Sequence, residues 1–179
     1  MRNWLLVLAV STTNWSPEQT PVSGVSGTYE LLVCRTKCDE AGKADLLVRG
    51  VLVLFESDLG QEALPRGVQA RLKDWSTFIL HDQKPNACFA LQSLKQKGTY
   101  IGIIPAGLTR WTHEGHALRV PLYRSPDSGA EVLLTLDRGI LTGRSHEYGL
   151  LGDEGIVAFV EARWRGPPTP TPCIEAGAT

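Results

Sequence analysis

The stretch "ALRVPLYRSPDSGAEVLLTLDRGILTGR", residues 117–144, decides the fold class. Runs rich in Val, Leu, Ile and Tyr lie near 116–124, 130–137 and 139–144, separated by "SPDSG" and "DRG", the residue types that reverse a chain. Short apolar runs divided in this way read as consecutive antiparallel strands. Working outward, the same rhythm predicts strands near 27–36, 44–56, 76–81, 87–93, 98–104, 108–113 and 155–165, with turns at "DEAGK", "QKPN", "KQKG", "PAG", "HEGH" and "GDEG". One segment departs from it. Leu64, Val68, Leu72 and Trp75 recur at three and four residues with Pro65 in the first turn, which predicts one short amphipathic helix despite Gly67.

An all-β chain of this kind has two solutions, a closed meander barrel or a two-sheet sandwich, and the run of sequential hairpins favours an antiparallel meander β-barrel of about eight to ten strands. Within 44–56, Leu46, Val48, Leu52 and Leu54 alternate with Leu47, Val51, Val53 and Phe55, so both faces of that strand are apolar. Such a wall faces either a cavity, with a helix, tail or partner outside, or a filled core with a dimer surface.

With 179 residues, 42% hydrophobic and 21% charged, the chain builds one sizeable core and one domain. Its 18 basic and 19 acidic residues are interspersed, and without a basic stripe nucleic acid is not an expected partner. The opening "MRNWLLVLAVSTT" places Arg2 before the apolar run Trp4 to Val10, the layout of a secretory signal peptide. That run falls short of the ~20 residues needed to cross a bilayer, so no integral membrane span is expected. Residues 1–26 read as a signal-like segment and flexible arm, 27–165 as the barrel and 166–179 as a Pro-rich tail, in a periplasmic or secreted protein.

Four cysteines stand at 34, 38, 88 and 173, and in an exported chain they are expected to be paired. No second close pair or suitably spaced histidine supports zinc, and the spacing of Cys34 and Cys38 does not fit a redox motif. On a regular strand those two residues would have Cα atoms over ~13 Å apart, whereas a bridge needs less than ~7 Å. Arg35, Thr36 and Lys37 are polar and strand-quality residues resume only at about Ala44, so the reading is a tight turn closed by a Cys34–Cys38 bond.

"THEGH", 112–116, offers His113, Glu114 and His116, but on a hairpin tip rather than the helical spacing a metal site requires. "GRSHEYG", 143–149, puts Ser145, His146 and Glu147 side by side, where a nucleophile, base and orienter cannot converge. His81 stands alone, and the glycines lack the sequence of a phosphate loop. No catalytic residue, metal or cofactor is expected. Tyr100, Trp111, Tyr123, Tyr148, Phe159 and Trp164 suit either a pocket lining or plain core.

Gly27-Thr28-Tyr29 opening the first strand, Arg163 and Arg165 ending the last, and Cys88 in a middle strand with Cys173 in the tail make the chain similar to a lipocalin or calycin-type barrel. Tyr29 stands where that family has Trp, and "YRSPDSG" at 123–129 is only a loose counterpart of its middle motif. The resemblance implies a Cys88–Cys173 bridge from tail to barrel, an arginine packed on the first-strand aromatic, and a small apolar or amphipathic molecule bound in the barrel mouth. Tyr29, Tyr100, Arg110 and Trp111 are the expected lining of such a non-enzymatic binding module. The alternatives are an isomerase or cyclase with Glu or His pointing into the barrel, and an inhibitor or surface-interaction protein that works through its loops.

Overall fold

The computed structural model describes residues 24–41, 45–59, 83–93, 106–124, 128–149, 158–171 and 173. Nine strands lie among them: β1 (Gly27–Cys34), β2 (Leu46–Leu54), β3 (Ala87–Ser93), β4 (Ala106–Thr109), β5 (Thr112–Glu114), β6 (Ala117–Arg124), β7 (Ser128–Asp137), β8 (Ile140–Gly149) and β9 (Ala158–Gly166). The signal-like segment, the expected helix with Leu64 to Trp75, the expected strands 76–81 and 98–104, and Tyr100 lie outside the described residues.

All nine strands form one sheet in the order β4-β3-β2-β1-β9-β8-β7-β6-β5, curled into a half-barrel. Every neighbouring pair is antiparallel, and β1 pairs with β9 to join two hairpin ladders. The strand expected at 108–113 is broken into β4 and β5, which stand at opposite margins of the sheet. An even number of reversals separates them, so they run in the same direction. Only Arg110 and Trp111 lie between them, and three Cα steps bring the two margins within about 11 Å of each other.

Pro121 helps to explain why β4 does not continue as a ladder onto β6. The β5–β6 pairing covers Ala117 to Arg119, and beyond it the Thr109 hydroxyl donates to the Pro121 carbonyl at 2.6 Å. Pro121 has no N–H to return, so backbone pairing stops there.

Inward and outward residues alternate as the pleat requires. Tyr29, Leu31 and Val33 of β1 face inward with Val48, Leu52 and Leu54 of β2, Phe89 of β3, Val120 of β6, Val132 and Leu134 of β7 and Val160 of β9, all 2% exposed or less. Gly50 and Gly143 lie in this inner layer, where an added Cβ would come within 2.2 Å of the Ala90 carbonyl and 1.8 Å of the Leu133 carbonyl. Neither position has room for a side chain, and such close backbone approaches are where a sheet bends most sharply. The β7–β8 hairpin turns at Arg138 and Gly139, with φ of 50° and 83°. Positive φ at both central residues matches the strand twist, and "DRG" supplies it.

A second, outer cluster explains why β2 is apolar on both faces. Val53, Cys88 and Leu108, aligned across β2, β3 and β4, pack on the outside with Ala106 and Cys173. The tail is the outside cover: Cys88 and Cys173 form a disulfide with Cα atoms 6.2 Å apart. Cys34 and Cys38 form the other, at 5.4 Å, closing the turn after β1.

Candidate functional site

The strand directions give the half-barrel two ends. At the first, β1 begins, β2 ends, β3 begins, and the joint between β4 and β5 crosses the seam. At the second, β1 runs into the Cys34–Cys38 turn and the connections 94–105, 125–127 and 150–157 leave the sheet. The seam end and the loop end differ in what they do with polar groups.

At the seam end, Tyr29 is fully buried and its hydroxyl donates to the Val25 carbonyl at 2.8 Å. Burial pushes this phenol up to about 12, which keeps it a donor. Trp164 lies opposite Tyr29 in the β1–β9 register, and its indole fills the space that a Cβ on Gly27 would need. The arginines beside it do not take that place. Arg163 pairs with Glu161 and Arg165 with Glu30 on the outer face, so the aromatic packed over the start of the first strand is Trp164 rather than an arginine.

The joint is held by side chains from the β2–β3 connection. The Asn86 amide accepts from the Trp111 N–H at 2.9 Å and donates to the Trp111 carbonyl at 3.3 Å, fixing the peptide groups on both sides of Trp111. The Trp111 indole donates to the Phe55 carbonyl at 3.1 Å, and Arg110 reaches both Asp58 and the Lys84 carbonyl at 2.6 Å. Three of the four expected lining residues, Tyr29, Arg110 and Trp111, thus lie at this end with polar groups engaged by the protein itself. The His113 ring meets Trp111 edge-on at 5.2 Å, while His116 sits in the β5–β6 turn.

The loop end differs. β8 is regular from Ile140 to Gly149, so Ser145 and Glu147 share the inner face with Leu141 and Gly143 while His146 faces outward, exposed and opposite Glu131. The alternation that forbids a Ser-His-Glu relay turns Glu147 toward the interior. Its neighbours in register are small or apolar: Ala130 directly across, and Val132 and Ala158 on either side of Ser145. Among the described residues, Glu147 Oε1 is the buried side-chain oxygen or nitrogen without a hydrogen-bond partner. Burial raises the pKa of this carboxyl, because the charged form loses hydration with nothing in exchange.

Sequence reasoning weighed Glu147 only as a member of the adjacent Ser-His-Glu run, and so missed it as a lining residue. The available signal was the period of two from Leu141 through Gly143 and Ser145 to Glu147. Asn86 left no such signal, since its partner lies 25 residues away.

Comparison of this chain with protein-family models, curated proteins and solved structures finds no match.

Proposed function

We propose that the chain is a lipocalin-like small-molecule-binding β-barrel of a periplasmic or secreted setting, holding an apolar or amphipathic ligand against its inner face at the loop end. The common direction of β4 and β5 supports the barrel: joined by two residues, they act as one bent strand, paired with β3 through its first half and with β6 through its second. Counted so, the half-barrel is read as an eight-stranded up-and-down barrel. Two disulfides suit an oxidising compartment.

The observation that carries the reading is the unpartnered Oε1 of Glu147 on an otherwise small and apolar inner surface. A buried polar atom that does nothing for the fold is the kind of group a ligand completes, and small-molecule sites combine apolar walls with a few placed polar groups.

The raised pKa of Glu147 also favours the isomerase or cyclase reading, since burial that lifts a carboxyl above its ordinary range makes it a better general acid or base. Such a mechanism needs a second group. His113, on the same side by register, is exposed at the seam end, level with Leu134, while Glu147 is level with Ala130. Four strand residues put them about 13 Å apart at least, and this ranks the binding module first.

Native mass spectrometry of gently purified full-length protein tests the proposal. A retained small molecule, lost when Ala130 is replaced by Trp to fill the loop end, supports it. No retained mass together with no uptake of a long-chain amine, alcohol or fatty acid sinks it.

A further inference from the structure

Resting on the binding-module reading, the inner face carries a sharper inference about ligand class. Its buried residues include no Lys, Arg or His among the described residues, and Glu147 is the one acid within it. The outer face treats its acids differently: Glu30 is met by Arg49 and Arg165, and Glu131 by Arg119. A cationic partner is therefore at hand for Glu30, Glu131 and Glu161 of the outer wall, and is withheld at Glu147.

We infer that the site at Glu147 selects amphiphiles whose polar head is a protonated amine, with the hydrocarbon chain lying along the apolar inner face. An anionic head would place two negative charges side by side at a half-buried carboxyl. A neutral alcohol donates one hydrogen bond and leaves the carboxylate charge uncompensated, or binds only while the carboxyl keeps its proton. An ammonium group brings both the opposite charge and up to three donors, one of them for Oε1. Ser145, buried two residues away on the same face, marks the depth at which the head would stop and the apolar layer of Val132, Leu134 and Val160 begins.

The elevated pKa of Glu147 then acquires a role. Below that raised pKa the empty site holds a proton on the carboxyl, and there the ammonium ligand displaces it: the O–H bond breaks, the proton leaves to water, and the carboxylate pairs with the ligand cation. Affinity for the amine should rise by about tenfold per pH unit until Glu147 is ionised in the empty protein, and then level off.

Titration calorimetry of the full-length protein with decylammonium, decanol and decanoate, each below micelle formation, tests this. Decylammonium should bind at least about tenfold more tightly than decanol, as a charge-assisted hydrogen bond in a poorly hydrated site allows, and E147Q should close that gap. Equal or tighter binding of decanol or decanoate, or a gap that survives E147Q, overturns the inference while leaving the binding module intact. Absence of binding by all three probes overturns the binding module itself. Should E147Q fail to fold by circular dichroism, the wild-type pH profile decides: amine affinity that climbs from acid pH supports the inference, and a flat profile overturns it.

Discussion

At the seam end, Tyr29, Asn86, Arg110 and Trp111 all have protein partners for their polar groups, and a disulfide of sequence separation 85 pins the wall at Cys88. At the loop end, a disulfide of separation 4 ties down only its own turn, and Glu147 keeps a buried oxygen without a partner. The same sheet forms both ends, so strand propensity does not explain the contrast. What differs is where long-range cross-links are placed. A fold secured firmly at one end tolerates, at the other, a group that works against folding, and such local contradictions are where function is usually found.

The largest test of this asymmetry compares the disulfides. In the loop-entropy picture the bridge to Cys173 contributes about 4 to 5 kcal/mol and the Cys34–Cys38 bridge about 2 kcal/mol. Cys173→Ser should therefore lower the melting temperature, measured without reductant, far more than Cys38→Ser. The reverse order would place the anchor of the sheet at the loop end.

Asn86→Ala comes next. It removes the hydrogen bonds to both peptide groups flanking Trp111 and should cost about 2 to 3 kcal/mol in urea denaturation, since the groups left behind are part-buried. A cost near zero would mean that the joint holds without its clasp.

Tyr29→Phe deletes the bond to the Val25 carbonyl, at a cost of about 1 kcal/mol near neutral pH. It should also change the alkaline limb of the stability profile. The folded phenol titrates at about 12, above its ordinary value of 10.0, so its contribution is whole below 10 and is lost as pH rises toward 12. In the Phe variant that part of the alkaline loss should vanish, as followed by thermal melts across this range.

The smallest effect is a gain. The raised pKa of Glu147 means that the unfolded chain ionises first, so this group's contribution is whole below the ordinary carboxylate value and is lost as pH rises through the folded one. Glu147→Gln should raise the melting temperature slightly at neutral pH and flatten that part of the curve. Glu30 provides the opposite sign. Hydrogen bonds from Arg165, with Arg49 beside it, hold its carboxyl below the ordinary range, so it stabilises above that range and its help is lost as pH falls. Destabilisation by Glu147→Gln would indicate a structural partner for Oε1 and remove the contrast between the ends.

The strands were legible wherever turn chemistry is local. "DRG" and "HEGH" mark the β7–β8 and β5–β6 turns because a two-residue loop is specified by its own residues. The Cys34–Cys38 pairing followed from the polar "RTK" between them in the same way. The break at Arg110 and Trp111 was not legible, because both residues are compatible with a strand and the interruption is imposed by distant Asn86, Phe55 and Asp58. The inward turn of Glu147 was legible only as a parity. The residue across the sheet from it, Ala130, lies on another strand, and no local pattern around residue 147 encodes it.

The two margins of the sheet are also its shortest strands, four residues at β4 and three at β5. Among the described residues, these two strands offer a foreign strand only a short backbone template. At the joint the Trp111 amide and carbonyl are already taken by Asn86, and Pro121 beyond it has no donor while its carbonyl is taken by Thr109. The residues that stop the seam from zipping fully thus also guard it against edge-to-edge aggregation, a hazard that otherwise grows with the length of exposed strand.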